Sequence, residues 1–180
     1  MAKGRSRAVS WAKASAIAYM CLTSTSRRFA SASVMTSNAG AAILRRYFSD
    51  QQLADYSRLI DLDHPTGLDY YPLPAAGERF PVADPCKQPV VTPRPASDVV
   101  FLQALLEGLT NIEKTAYQKL AELGARPPQR ILTSGGGAGN PQWTLMRQRM
   151  LGVKVQPAPH TAASYGSALL ALEGLQSYAD

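Results

Sequence analysis

Between Asp98 and Leu123, apolar residues recur at steps of three and four: Leu102, Leu105, Leu109, Ile112, Ala116, Leu120 and Leu123. That spacing lines them up on one stripe of a helix, with Gln103, Glu107, Glu113 and Lys119 falling off it. Ser97 is placed to cap this helix and Gly124 to stop it. A stripe this long is satisfied only when other elements cover it, so whatever else the chain forms must pack around this helix. It reads as core rather than as a partner surface.

Downstream of it the pattern alternates. Arg130 to Thr133 predicts a short buried strand, Pro141 to Leu151 a helix ending at Gly152, and "VKVQ" a second strand, after which Thr161 caps a last helix through "ASYGSALLALEGL". This order predicts an α/β layer in which the two strands run parallel through a right-handed crossover. Two strands make a small sheet, so the segment reads as part of a larger domain. Upstream, "SNAGAAILRRYFSDQQLADYSRLID" has a period near 3.6 that is interrupted at Ser49 and Asp50, with Gln52 completing a cap signature. Two short helices follow, over 39 to 48 and 50 to 60. Between Asp61 and Ser97, eight prolines exclude a long helix or a central strand. Leu68, Tyr70, Tyr71, Leu73 and Phe80 give that connection apolar surface, so it is expected to be ordered and packed.

The 180 residues are enough for one ordinary core, or for one domain plus a tail. The net charge of +6 points at first to nucleic acid or a membrane surface. Its distribution argues against both. Lys3, Arg5, Arg7, Lys13, Arg27, Arg28, Arg45 and Arg46 all precede the first carboxylate, Asp50, and the remainder is mildly acidic. No face combining basic and aromatic residues is visible, as a nucleic-acid binder would need. Residues 1–35 are rich in Ala, Ser, Arg and Lys and read as a leader. It is either an organelle transit peptide, chloroplast import being one case, or a disordered basic tail or misplaced coding start, which leaves the protein cytoplasmic. The apolar run from Ala16 to Leu22 is too short to span a bilayer, which takes about 20 residues.

Cys21 and Cys86 form no disulfide framework and no paired-thiol metal motif. His64 and His160 have no ligand-spaced neighbours and read as surface or hydrogen-bonded histidines.

The segment "ILTSGGGAGNPQW" is the chemically informative one. Consecutive glycines after a strand let the backbone turn sharply and approach a ligand with no Cβ in the way. Asn140 caps the next helix and Pro141 takes its first position, where a missing N–H costs nothing. The positive end of that helix favours an anion or a nucleotide edge. The glycines serve either such a ligand loop or simply a tight strand-to-helix corner. They end in no Gly-Lys-Ser/Thr and lack the dinucleotide spacing, which excludes two familiar phosphate loops.

The wider string "TSGGGAGNPQWTLMRQRMLGVKV", with "HTAASYGSALLAL" after it, resembles the C-terminal half of FGGY-family carbohydrate kinases. "SNAGAAIL", "PTGLDYYPLPAAGERFPVADP" and "RPASDVVFLQALLEGLTNIE" are similar to the same half and stand in the right order, so the likeness runs from about Thr36 to Leu175. It implies residues 36–180 as a C-terminal kinase domain, incomplete at its N-terminal edge: a partial actin-like ATPase (ribonuclease H-like) α/β fold, helix-rich with a small sheet. It also implies ATP as ligand, with Mg²⁺ brought by the nucleotide. Gly135 and Gly136 would bring backbone to the α-phosphate and ribose, Gly137 would let the turn continue, and Asn140 would hydrogen-bond the adenine edge. Trp143, Met146 and Met150 read first as core, and Arg147 and Arg149 as solvated or salt-bridged. Tyr165 and Gly166 would lie in the close-packed last helix, and Ala162 stands where the family commonly has an acid.

"GLDYYPLPAAGERFP" looks most like the plant and cyanobacterial subgroup that phosphorylates D-ribulose or D-xylulose. In that family the N-terminal half supplies the sugar pocket and the catalytic aspartate. No catalytic residue is therefore assigned, and the chain is expected to bind ATP or ADP but to need that half to bind sugar and transfer phosphate. The alternative is a non-catalytic interaction or regulatory module, which self-associates or pairs with a full-length kinase.

Overall fold

The computed structural model describes residues 17–22, 32–134 and 136–159. Strands β1 (Ile17–Leu22) and β2 (Ala32–Ser37) pair antiparallel, with Ile17 opposite Ser37 and Leu22 opposite Ala32. A 3-10 helix over Ala41–Arg46 leads to α1 (Asp50–Ser57), and the long α2 follows at Asp98–Glu122. Then come β3 (Arg130–Thr133), α3 (Pro141–Leu151) and β4 (Lys154–Pro157). β3 and β4 are parallel, as expected, with buried Ile131 opposite buried Val155 and α3 between them in sequence.

The strand pair is a departure from the sequence reading, which placed no strand before residue 36. The cause is averaging: the Ala/Ser/Arg composition of the whole stretch hides two six-residue runs, "IAYMCL" and "ASVMTS", each long enough for a strand. The first helical segment also proves to be a short 3-10 turn, and α1 stops at Ser57 rather than at residue 60. Its start is as expected. The Ser49 hydroxyl accepts from the Gln52 amide while the Gln52 side chain accepts from the Ser49 amide, a reciprocal cap that satisfies two otherwise orphaned donors. The helix expected after Thr161, with Ala162, Tyr165 and Gly166, falls outside the described residues, as does His160.

α2 is the centre of the molecule and contacts α1, α3, the 3-10 helix and β1. The stripe from Leu102 to Leu120 is buried as expected, and Leu123 alone of it is exposed. Phe101 sits among Tyr47, Phe48 and Tyr70, edge-on to Tyr47 and Tyr70, with ring centroids 5.0 to 6.0 Å apart, the geometry aromatic quadrupoles prefer.

The helix is wrapped more completely than its periodicity implies. Gln103, Glu107 and Glu113, which fall off the apolar stripe, are buried as well. The proline-rich connection explains the first two. The Gln103 amide donates to the carbonyls of Asp61 and His64, and its oxygen accepts from the Asp61 N–H. The Glu107 carboxylate accepts from the Thr66 N–H and hydroxyl and from the Gln103 amide. Each buried polar atom named here therefore has a partner, which offsets its desolvation.

The connection is ordered, as its apolar residues predict. Tyr70 and Leu73 are buried in the core, and Tyr71 pairs its backbone with Val90 at 2.8 and 3.0 Å. Glu78, also buried, accepts from Ser37 Oγ, the Asn38 N–H, the Arg79 N–H and the Tyr71 hydroxyl. Burial, and then the neighbouring Glu78 carboxylate, push the Tyr71 phenol above its ordinary range, so it stays protonated and able to donate.

The connection reaches α2 at Gly108, where an added Cβ would stand 2.5 Å from the Tyr70 carbonyl oxygen and 3.0 Å from Pro72 Cδ. At an exposed helical glycine, alanine stabilises by about 1 kcal/mol. Gly108→Ala is expected to do the opposite, lowering the unfolding free energy by about 1–3 kcal/mol in urea titration as the backbone is forced apart. A stabilised variant would show that the contact is not tight.

Candidate functional site

β3 delivers the chain into the glycine run, and α3 takes it away. Gly135 lies outside the described residues. Gly136 is buried and opens a 3-10 turn over Gly136–Gly139, after which Asn140 adopts extended backbone and caps α3. Its Oδ1 accepts from the Trp143 N–H at 3.0 Å, and Pro141 occupies the first helical position. The first turn of α3 contains no acid, so its positive end is not neutralised by the helix itself.

Part of the demand for glycine comes from inside the fold. A Cβ on Gly137 would lie 2.5 Å from Cζ3 of Trp143, whose indole is buried under the turn. The Trp143 Nε1 donates to Thr110 Oγ1 at 3.1 Å, and that hydroxyl donates to the Leu106 carbonyl one turn earlier in α2. Trp143 is thus core, as expected, and it sets the floor of the loop. Met146 is buried in the same core and Met150 packs against it.

Asn140 is itself buried, and its Nδ2 donates to Ser57 Oγ at 2.9 Å. Arg147, further along α3, forms a two-pronged ion pair with Glu113 of α2, Nε to Oε2 at 2.7 Å and Nη2 to Oε1 at 2.6 Å. Its Nη1 donates to Thr133 Oγ1, the last residue of β3 before the loop. The guanidinium also lies 5.5 Å from the centre of the Trp143 ring. Arg147 is therefore salt-bridged and buried, and it joins three elements behind the loop. Arg149 pairs at the surface with Asp63 and the Leu62 carbonyl.

The structure brings together Gly136, Gly137 and Asn140 from the sequence prediction. It adds Ser57, Thr110, Glu113 and Thr133, none of which carries a local sequence signal. Serine at the end of a helix and a single acid beside an apolar stripe are ordinary surface features until a distant partner reaches them.

The sequence from residue 12 to residue 174 matches the C-terminal domain of the FGGY family of carbohydrate kinases. The chain belongs to that family. The FGGY match begins ahead of Thr36, where the resemblance was read to start, and so takes in both strands of the β1–β2 pair. The fold is accordingly the C-terminal domain of an actin-like ATPase, with α2, α3 and the parallel β3–β4 pair as its α/β layer. The glycine turn and Asn140 lie within the FGGY match.

Elsewhere the chemistry is quieter. A cavity of about 290 Å³ lies toward the other end of α3, lined by Leu62, Leu68, Glu107, Met146, Arg149 and Met150 among others. Its two charged groups on α2 and α3 are already occupied, Glu107 by Thr66 and Gln103, Arg149 by Asp63. His64 is at the surface, hydrogen-bonded through Nδ1 to Asp61 at 2.8 Å, which raises the histidine and lowers the aspartate from their ordinary pKa values. Among the described residues no three His, Cys, Asp or Glu side chains are grouped to hold a metal ion, and no helix is long and apolar enough to cross a membrane.

Proposed function

We propose that this chain is the ATP-binding half of a kinase acting on a pentulose, D-ribulose or D-xylulose, and that the 180-residue polypeptide alone binds nucleotide without transferring phosphate. The observation that carries the reading is the approach to α3: a turn built of small residues, a buried Asn140 and a helix N-terminus with no acid in its first turn. Free N–H groups and the helix dipole suit an anion there, and an asparagine amide offers donor and acceptor together, as an adenine edge requires. Gly136, Gly137 and Asn140, with Gly135 before them, would hold the adenosine and α-phosphate. Mg²⁺ would arrive on the nucleotide.

Phosphoryl transfer needs a base for the sugar hydroxyl and cations for the transferred charge. What supports a separate source for that base is the engagement of the buried carboxylates: Glu78, Glu107 and Glu113 each hold internal hydrogen bonds. The pentulose assignment rests on the likeness of "GLDYYPLPAAGERFP" to the ribulose and xylulose subgroup.

Titration calorimetry with ADP tests the site. Asn140→Ser keeps a good helix cap but removes the amide, and Gly136→Leu fills the turn. Each is expected to weaken ADP about tenfold or more, in line with the loss of one or two well-placed polar contacts. A folded wild-type chain that takes up no ADP would sink the assignment. Robust turnover of D-ribulose or D-xylulose by the pure polypeptide would sink the second half of the proposal.

A further inference from the structure

We infer that Ser57, the last residue of α1, is a positioning residue of the nucleotide site, holding the Asn140 amide in the one orientation that selects adenine; this rests on the reading of the glycine loop given above.

Two contacts fix that amide. Its Oδ1 faces the α3 backbone and accepts from the Trp143 N–H, while its Nδ2 faces α1 and donates to Ser57 Oγ. The Trp143 bond alone fixes the oxygen but leaves Nδ2 with no acceptor. The serine supplies one, from 83 residues away in sequence. With both bonds made, the amide keeps one N–H and one oxygen lone pair for a ligand.

That remaining pair is a donor beside an acceptor. Adenine presents the complement, an exocyclic N–H beside a ring nitrogen, whereas guanine presents two adjacent acceptors on the corresponding edge. An amide held in register therefore discriminates between the bases, and one free to turn does so less well.

A second observation points the same way. Ser57 is 5% exposed and accepts from Asn140, yet its own hydroxyl proton meets no acceptor among the described residues. A buried donor left unused costs free energy that an incoming acceptor removes. A ring nitrogen of the base is such an acceptor.

The experiment measures ADP and GDP affinities by calorimetry on the full 180-residue chain and its variants. Wild type is expected to prefer ADP. Ser57→Ala is expected to weaken ADP by about tenfold while leaving GDP nearly unchanged, so that the ADP/GDP ratio falls toward one. Ser57→Thr and Ser57→Val add nearly the same volume and differ by one hydroxyl, so they control for packing and for any loss of folding in the alanine variant. Threonine should retain the ratio and valine should lose it. Equal ratios for threonine and valine, or an unchanged ratio in Ser57→Ala, would overturn the role of Ser57 while leaving the nucleotide site intact. Absence of ADP binding by wild type would instead overturn the site, and this inference with it.

Discussion

Glu113→Ala is expected to lower the unfolding free energy by about 3–5 kcal/mol, measured by urea denaturation of the full chain. The magnitude follows from what the substitution strands. Arg147 is almost wholly buried and depends on Glu113 for two of its hydrogen bonds, so removing the carboxylate leaves a guanidinium charge inside the protein with only the Thr133 hydroxyl and the Trp143 ring beside it. Deleting both charges is a different experiment. Glu113→Leu combined with Arg147→Met should recover much of the loss, because a buried ion pair costs desolvation that an apolar pair avoids. The double variant also loses the link to Thr133, and with it the restraint on the end of β3. Stability recovered together with weakened ADP binding would show that the pair serves the loop more than the core. A loss under about 1 kcal/mol in Glu113→Ala would mean that Arg147 escapes to solvent, and that the pair does not fasten α2 to α3.

Trp143→Ala is expected to cost about 3–5 kcal/mol, the range for truncating a large buried aromatic. The indole fills the space under Gly137, bonds Thr110 and lies beside the Arg147 guanidinium, so its loss opens a cavity and frees a hydroxyl at once. Trp143→Phe keeps most of the volume and removes one hydrogen bond, which lowers the expected cost to about 1–2 kcal/mol. The order of the two variants is the test. If phenylalanine were as damaging as alanine, the indole would stabilise the fold through its hydrogen bond to Thr110 rather than through the volume it fills.

The parts of this fold that sequence makes visible are those in which cause and effect lie close along the chain. The α2 stripe, the Ser49–Gln52 cap and the Asn140-Pro141 entry to α3 each depend on residues within a turn or two, so local pattern suffices. The polar residues of α2 show the limit. Periodicity assigns Gln103, Glu107 and Glu113 to water because it assumes that polar means solvated. In the structure they meet Asp61, Thr66 and Arg147, groups 34 to 42 positions away, and no local pattern carries that information. The candidate site divides in the same way. Gly136, Gly137 and Asn140 are legible as a loop and cap, but the reason for Gly137 is a tryptophan on the next helix, and the partner of Asn140 is a serine at the end of α1. The β1–β2 pair is missed for another reason, since short strands in a compositionally biased stretch are diluted by their surroundings.

The grip of α2 on the proline-rich connection has a consequence for how freely this region can diverge. Gln103 and Glu107 recognise main-chain atoms of Asp61, His64 and Thr66, and only the Thr66 hydroxyl among that segment's side chains. Main-chain atoms are the same whatever residue bears them. Substitutions at Asp61 or His64 therefore leave these bonds to the helix in place, while a change at Gln103 or Glu107 removes the bonds that fix residues 61 to 66. For residues 61 to 66 the constraint is written in the helix, and apart from Thr66 and the packed Leu62 the side chains there are left open to drift.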